Sequence, residues 1–197
     1  MKRAVTPDSP PVEKKKSKLP KIGKGVETLY RTTIPALVTQ TQFADNKASI
    51  MMSINGVIIS VLVAFRDQIT AGGPQLTVPG AVMAIASLGS AICSILAAMP
   101  NLSTPTVTEE NMRSPEINHL FFGVITQIDR LTYATLIRDV CEDPERIYWM
   151  LSLQIHGLGQ GLSRKFRLLR YSYILFLTGL ILSAIVFFLA EAIPFSP

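Results

Sequence analysis

Three long apolar segments constrain what this chain can fold into. They cover residues 48–65, 79–98 and 171–190, and none of them contains Asp, Glu, Lys, Arg or His. An α-helix rises about 1.5 Å per residue, so roughly 20 apolar residues cross a hydrocarbon core about 30 Å thick. A core helix of a soluble protein usually keeps a charged or strongly polar face, which these segments lack. The sequence therefore predicts an all-α integral membrane protein with three transmembrane helices.

The distribution of charge predicts how the chain crosses the membrane. Residues 1–47 hold ten Lys or Arg against four acids, whereas residues 66–78 hold one Arg and one Asp. Four basic residues at the end of 99–170 lie directly before the third segment, and Lys and Arg concentrate on the cytoplasmic side of membrane proteins. We expect a multi-pass protein of the inner (plasma) membrane, with its N-terminus and residues 99–170 in the cytoplasm. Residues 66–78 and a short tail, 191–197, are expected outside.

The N-terminal segment, residues 1–30, is predicted to be a basic disordered tail. It is rich in Lys and Pro and includes the run Glu13-Lys14-Lys15-Lys16-Ser17-Lys18. Such a composition buries too little apolar surface to offset the entropy of ordering the chain. No aromatic residue interrupts the run, so we expect it to contact the anionic lipid bilayer and not nucleic acid.

Local signals predict how the first two spans begin. A helix is expected to start near Thr32 or Thr33, where Pro35 suits the first turn because proline has no N–H to donate. That helix should then run straight into the first apolar segment. Gly72-Gly73-Pro74 predicts the turn that leads into the second.

Two start signals predict a helical cytoplasmic module between the second and third spans. Ser114-Pro115-Glu116 and Asp143-Pro144-Glu145 each combine an N-cap residue, a first-turn proline and an acid near the helix start. They predict helices over about 115–141 and 144–170. Since no proline follows before Pro194, the second helix is expected to be continuous with the third span. Its apolar residues follow one another at helical steps of three and four, at Tyr148, Leu151, Ile155, Leu158, Leu162, Phe166 and Leu169.

Small residues follow one helical face in each apolar segment. In lipid, close backbone approach over small residues takes the place of a hydrophobic drive between helices. The pattern is compatible with packing inside one three-helix bundle, with a subunit interface, or with a pore-lining face. The residues are Ser49, Ser53, Gly56 and Ser60 in the first segment, Gly80, Ala84, Ser87, Ala91, Ser94 and Ala98 in the second, and Gly179 and Ser183 in the third.

Asn55 is the most polar side chain within the three segments. An amide at membrane depth costs free energy unless it finds a hydrogen-bond partner, so it should face protein or water and not lipid. Two roles are compatible with this position: a clamp between two helices, or part of the lining of a conduction path.

No catalytic or metal-binding motif is recognisable in the sequence. It contains no P-loop, no His-Glu-x-x-His pair and no Gly-x-Ser-x-Gly elbow. Gly157-Leu158-Gly159-Gln160-Gly161 lies within a helical pattern, whereas a phosphate-binding loop would follow a strand. We therefore expect a protein that is not an enzyme and that has no metal site and no resident cofactor.

Several short segments occur in an order that is typical of one family. Ala44-Asp45-Asn46-Lys47-Ala48 enters the first span, and Asn118-His119-Leu120-Phe121-Phe122-Gly123 follows the second. Asp143-Pro144-Glu145-Arg146 then precedes a long helix that carries Gln154-Ile155 and the basic stretch 162–170. Together these segments resemble the Pycsar effector transmembrane domain family. The resemblance assigns residues 31–190 to one domain of this type.

The resemblance implies a role in antiphage defence. In this family a partner nucleotide cyclase makes a cyclic nucleotide on infection, and the membrane effector responds to that diffusible signal by impairing membrane integrity. It further implies a homo-oligomer with a cyclic nucleotide ligand. No alternating strand pattern predicts a separate nucleotide-binding β-roll here, so the helical module would have to supply the site. The alternative function is a non-conducting membrane scaffold or regulatory subunit.

Asp45 and Lys47 lie at the cytoplasmic entry of the first span. Positions two apart on a helix do not face each other, so a salt bridge between these two side chains is not expected. They are predicted either to anchor the helix at the membrane interface or to dock the 144–170 helix through its charged groups.

The basic residues before the third span have two possible roles. They are Arg164, Lys165, Arg167 and Arg170. Cations at a membrane boundary usually bind lipid head groups and fix topology, but Arg can also grip a phosphate of a ligand with two parallel hydrogen bonds. The three arginines follow at steps of three and share a face, whereas Lys165 is turned about 100° from Arg164. All four therefore cannot converge on one ligand.

The charge asymmetry makes a testable prediction about topology. A reporter that is active only outside the cytoplasm should work when it is fused after Pro197 and should fail when it is fused after Asn111. The measurement is reporter activity normalised to the amount of fusion protein. Activity at Asn111 and none at Pro197 would show that the chain is inserted the other way round.

Overall fold

The architecture is built from α-helices. The computed structural model describes residues 24–100, 106–108, 110–114 and 116–192, with only the backbone of the last two. The predicted tails therefore lie outside the description at 1–23 and 193–197, as does Pro115 of the expected start signal. The helices are α1 (Lys24–Ala64), α2 (Arg66–Ala71), α3 (Pro74–Ala98), α4 (Phe122–Ile125), α5 (Arg130–Cys141) and α6 (Pro144–Ala192).

Three of these helices, α1, α3 and α6, are long and apolar enough to cross a membrane. This confirms the predicted fold class. The helix α6 has 49 residues and is thus about 70 Å long, so it extends some 40 Å beyond the hydrocarbon core that it can cross. The cytoplasmic helix predicted after Asp143 and the third span are one continuous helix, as expected. Gly73, with φ of 65°, makes the predicted turn before α3, since glycine adopts this left-handed conformation without a Cβ clash.

The start of α1 differs from the prediction. The helix begins by Lys24, so residues 24–30 are helical and do not belong to a disordered tail. Contacts with α6 explain the difference. The ring of Tyr30 packs against that of Tyr148 with a centroid separation of 5.6 Å, and its hydroxyl hydrogen-bonds with Ser152 at 2.7 Å. These contacts stabilise a segment whose composition alone would leave it unordered.

Pro35 is inside α1 and not in its first turn, contrary to the prediction. A proline in a helix interior removes one hydrogen bond, here the one that the carbonyl of Arg31 would accept. The rest of the helix continues on both sides, so this is a local loss. Proline is common in the first turn of a helix. Here packing against α6 stabilises the turns that precede Pro35, so the helix begins earlier.

The prediction of a single helix over about 115–141 is also wrong. Residues 116–121 form turns, followed by the short α4, and α5 begins after Asp129 because its carboxylate caps the helix by accepting from the N–H groups of Leu131 and Thr132. Tertiary contacts hold the irregular part. His119 is 1% exposed and its Nε2 donates to the Met112 carbonyl at 2.7 Å. A small apolar core beside it contains Ile117, Val124, Ile128 and Leu136.

The three long helices pack into one bundle, in which α3 lies along α6 and both contact α1. Where the first and third predicted spans begin and the second ends, one buried residue from each helix meets the other two: Ala48, Ala97 and Leu169. Further along, Gly179 faces Ala86 so closely that an added Cβ would overlap the alanine methyl group. The small residues of α3 and α6 therefore serve close packing inside the bundle.

The small residues of α1 do not lie in the interior of the bundle. Ser49, Ser53, Gly56 and Ser60 are all exposed, whereas the residues that α1 buries are Ala44, Ala48, Met51 and Asn55. The two stripes are on different faces of the helix. We call the exposed set the α1 serine stripe, and it does not contribute to packing within one protomer.

The contact at Gly179 predicts the outcome of a glycine-to-alanine comparison within α6. Gly179→Ala should lower the free energy of unfolding by about 1–3 kcal/mol, because the new methyl group overpacks the contact with Ala86. Gly159→Ala is the matched control, since nothing lies within 4 Å of its added Cβ and alanine favours the helix. Thermal unfolding in detergent should place the first variant below wild type and the second at or above it. Equal melting temperatures for both variants would refute the close contact.

Candidate functional site

Five polar side chains form a buried cluster where the three long helices meet. They are Asn55 of α1, Ser87, Ser90 and Ser94 of α3, and Ser172 of α6. Each has a relative exposure of 0%, and all lie within the predicted spans. We call this set the polar cluster. Ser172 is the second residue of the third apolar segment, so under the predicted orientation the cluster lies toward the cytoplasmic side of the membrane.

Hydrogen bonds join the polar cluster across all three helices. Asn55 Nδ2 donates to the Met51 carbonyl at 2.8 Å and to Ser90 Oγ at 2.9 Å. Ser172 Oγ donates to the Ser90 carbonyl at 2.9 Å and lies 2.7 Å from Ser94 Oγ. A hydroxyl has one proton, so Ser172 accepts from Ser94 when it donates to Ser90. Asn55 and Ser172 thus both clamp α3, one from each side.

Two atoms of the polar cluster have no hydrogen-bond partner among the described residues. These are Asn55 Oδ1 and Ser87 Oγ, and both are fully buried. Leaving such an atom unpaired costs about 1–3 kcal/mol. The bundle therefore contains buried polar atoms that would gain a hydrogen bond if water reached them.

Sequence reasoning found only part of the polar cluster. It singled out Asn55, and the clamp that was one of its two predicted roles is present in the structure. Ser90 and Ser172 were not singled out, because serine is common in transmembrane helices and a single serine predicts no partner. The available signals were that Ser90 lies one turn from both Ser87 and Ser94, and that Ser172 lies two residues after Arg170, at the start of the third apolar segment.

An ion pair joins α1 and α6 just before the first and third predicted spans begin. Lys165 Nζ of α6 contacts Asp45 Oδ1 of α1, with side-chain exposures of 20% and 41%. Asp45 therefore docks the α6 helix, as one of its predicted roles required, and it does not pair with Lys47. The side chain of Lys47 is exposed, and no hydrogen bond or ion pair is recorded for it in the described part of the chain.

The other three basic residues before the third span take no part in this ion pair. Arg164, Arg167 and Arg170 are all exposed, while Lys165 is half-buried in its ion pair. The predicted separation of Lys165 from the arginine face is thus present. Among the described residues none forms a hydrogen bond or ion pair with these three arginines, and their role in ligand binding stays a prediction.

A second contact ties the segment between α3 and α6 to α6. Asn118 Nδ2 donates to Gln154 Oε1 at 2.6 Å, and Tyr133 donates from its hydroxyl to the His119 carbonyl at 3.2 Å. Within the described ranges, no group of three or more His, Cys, Asp or Glu side chains is placed to hold a metal ion. The contact between Asn118 and Gln154 joins two of the sequence segments that prompted the family resemblance, as does that between Asp45 and Lys165.

The chain is thus a multi-pass α-helical membrane protein in which α1 and α6 continue well beyond the N-terminal ends of their spans. The family model of the Pycsar effector protein domain matches residues 29–190, and the chain belongs to this family. No curated protein and no solved structure matches it. Membership supports a role as an effector of cyclic-nucleotide-signalled antiphage defence, in a system that includes a nucleotide cyclase.

The ion pair predicts the effect of single and paired charge changes. Asp45→Asn should lower the toxicity of the induced protein without lowering its abundance in the membrane, because it uncouples α1 from α6. The double variant Asp45→Lys with Lys165→Asp restores the opposite charges and should recover toxicity. A double-mutant cycle on unfolding should give a coupling of about 1 kcal/mol. The measurements are growth after induction, membrane abundance and thermal unfolding.

Lys47→Gln is the matched control for this series. It removes a charge from the same entry motif, two residues from Asp45, but breaks no contact in the structure. It should leave both toxicity and stability unchanged. If Asp45→Asn is as toxic as wild type at equal abundance, or if the swapped pair does not recover, the ion pair does not couple the helices.

Proposed function

We propose that this protein is a membrane effector that impairs membrane integrity when a cyclic-nucleotide signal reaches its cytoplasmic helices. The observation that carries the proposal is that α1 and α6 are each continuous through a predicted span and a long N-terminal extension, with an ion pair between them where the spans begin. A helix is a stiff element, so displacement of its cytoplasmic end moves the span. The signal therefore needs no separate transmission domain.

In this proposal the polar cluster is the element that responds. The resting bundle keeps it dry and leaves Asn55 Oδ1 and Ser87 Oγ unpaired. Separation of α1 or α6 from α3 admits water, which satisfies those atoms and the serine hydroxyls released from one another. Hydration then offsets part of the packing that opening loses. The opened bundle becomes a polar defect in the membrane.

Subunit association is the second part of the proposal. The α1 serine stripe is exposed within one protomer, and Ser53 and Ser60 donate back to the carbonyls of Ser49 and Gly56 on their own helix. Their hydroxyls are thus satisfied without water or a partner. Small residues on such a face allow another helix to approach closely, so we assign the stripe to contacts between copies of this chain.

The remaining assignments follow from the same scheme. The protein acts by moving helices and not by catalysis. Its N-terminus lies in the cytoplasm and its C-terminus outside, with exposed Arg164, Arg167 and Arg170 binding lipid head groups at the inner surface. Binding of these arginines to head groups would fix the depth of the third span in the membrane while the cytoplasmic part of α6 moves.

Reconstituted protein tests the proposal directly. Full-length chain in liposomes that carry a potassium diffusion potential should collapse that potential, read by a voltage-sensitive dye, after addition of one member of a panel of 3′,5′-cyclic mononucleotides. Without nucleotide the potential should persist. A potential that survives every cyclic nucleotide would refute the effector function and favour the non-conducting scaffold.

Thiol labelling then tests the polar cluster. Ser87→Cys suits this purpose because Ser87 Oγ makes no hydrogen bond that the substitution would break. In a background with Cys93→Ala and Cys141→Ala, a charged thiol reagent should label it only when the membrane is depolarised, because labelling needs water at the cluster. Ile85→Cys, on the same helix at a position that is 74% exposed, is the control and should stay unlabelled in lipid in both states. Depolarisation without labelling of Ser87→Cys would mean that the polar cluster stays closed.

A further inference from the structure

A cavity lies between the cytoplasmic parts of α1 and α6. It has a volume of about 450 Å³, and residues 27–35 of α1 and 144–151 of α6 line it. Volumes of 300–1,000 Å³ are usual for sites that hold small molecules and cofactors. Neither the sequence motifs nor the polar cluster accounts for a cavity at this place.

The position of the cavity indicates an aqueous ligand. Tyr30 precedes the first apolar segment by 18 residues, and Leu151 precedes the third by 20. At about 1.5 Å per residue, the cavity is roughly 27–30 Å from the start of both spans. A lipid acyl chain does not reach that far from the bilayer, so the occupant must come from the cytoplasm.

One wall of the cavity suits a planar ring. Tyr30 and Tyr148 stand with ring centroids 5.6 Å apart, and the hydrogen bond from the Tyr30 hydroxyl to Ser152 at 2.7 Å holds the first ring in place. Ile34 and Leu151 add apolar surface. Aromatic side chains bind the faces of nucleobases by stacking, and every base offers such a face.

The face of α1 that carries Tyr30 also presents charged groups to the cavity. Glu27 and Arg31 are one turn apart on α1, and neither forms a recorded hydrogen bond or ion pair with any described residue. Arg31 can hold a phosphate with two parallel hydrogen bonds, and the Glu27 carboxylate can accept from a hydroxyl or a ring N–H.

We propose that this cavity binds a mononucleotide, with the base against Tyr148 and Tyr30 and the phosphate on Arg31. The inference rests on the proposed function and gives its signal a site. A planar heterocycle with an attached phosphate could be a cyclic or a linear mononucleotide, and both present the same chemistry to these walls. The ligand would touch α1 and α6 together, at the ends farthest from the membrane.

Calorimetry on the full-length protein in detergent tests this site with three kinds of probe: 3′,5′-cyclic mononucleotides, nucleoside 5′-monophosphates and inorganic phosphate. A cyclic mononucleotide should bind, and Arg31→Gln should weaken it by about tenfold or more, since a charged bidentate contact is lost. Tyr148→Leu keeps an apolar side chain but removes the ring, and should also weaken binding about tenfold. Arg31→Lys should bind more weakly than wild type, and its kept charge leaves folding unaffected.

Control variants remove basic groups elsewhere. Arg130→Gln, at an exposed position of α5, and the pair Arg167→Lys with Arg170→Lys should bind as wild type does. If Arg31→Gln and Arg130→Gln bind the cyclic nucleotide with equal affinity, the proposed site is wrong. It is also wrong if binding is lost only in the double variant of Arg167 and Arg170. Binding of phosphate as tight as that of nucleotide would also overturn it.

The outcomes separate this inference from the function that it extends. If the membrane potential collapses with a cyclic nucleotide but Arg31→Gln binds that nucleotide normally, the effector function stands and the site is wrong. If nucleotide binds in an Arg31-dependent way but the potential persists, the site stands and the effector function is wrong. If a linear mononucleotide binds more tightly than a cyclic one, the result supports the cavity as a mononucleotide site. The ligand is then a nucleoside monophosphate and not a product of the cyclase.

Discussion

The hydrogen bonds of the polar cluster are the interaction on which the rest of this structure depends. In the hydrocarbon region no water replaces a lost partner, so a polar side chain there restricts how its helix can turn or slide. Asn55 fixes α1 against Ser90, and Ser172 fixes α6 against the same residue and Ser94. One turn of α3 therefore sets the register of both other helices. Apolar contacts such as Gly179 with Ala86 then fill the space that this register leaves.

The contacts between the N-terminal halves of α1 and α6 follow from that register because both helices are continuous. Both helices run in the same direction, and neither is interrupted between the polar cluster and its cytoplasmic end. Counted back from Asn55 and from Ser172, the ion pair lies 10 and 7 residues away, and the Tyr30–Tyr148 contact lies 25 and 24 residues away. The counts of 25 and 24 are nearly equal, as two parallel helices of the same rise require, and the counts of 10 and 7 differ by less than one helical turn. A change in register at the membrane would separate both contacts together.

The sequence predicted those parts of the fold that lipid or covalent geometry imposes. The three spans follow from a requirement for charge-free helices about 20 residues long, and the long α6 follows from the absence of proline. The wrong predictions, the start of α1 and a single helix over 115–141, depend on tertiary contacts of Tyr30 and His119 that no local pattern contains. For the site, helix periodicity separated Lys165 from its neighbouring arginines. Its pairing with Asp45, 120 residues away, required knowing how α1 and α6 pack.

Thermodynamics favours a signal site that lies between helices over one on a single helix. A ligand shifts a conformational equilibrium only by the difference between its affinities for the two states, and moving a population from 1:99 to 99:1 takes about 5.5 kcal/mol. Arg167 and Arg170 keep the same mutual geometry whether the bundle is closed or open, because one rigid helix carries both. A phosphate bound there alone would stabilise both states equally. The cavity between Arg31 and Tyr148 changes whenever α1 and α6 change their spacing, so a ligand that bridges them has different affinities for the two states. That difference is what an effector needs in order to couple a soluble nucleotide to its transmembrane helices.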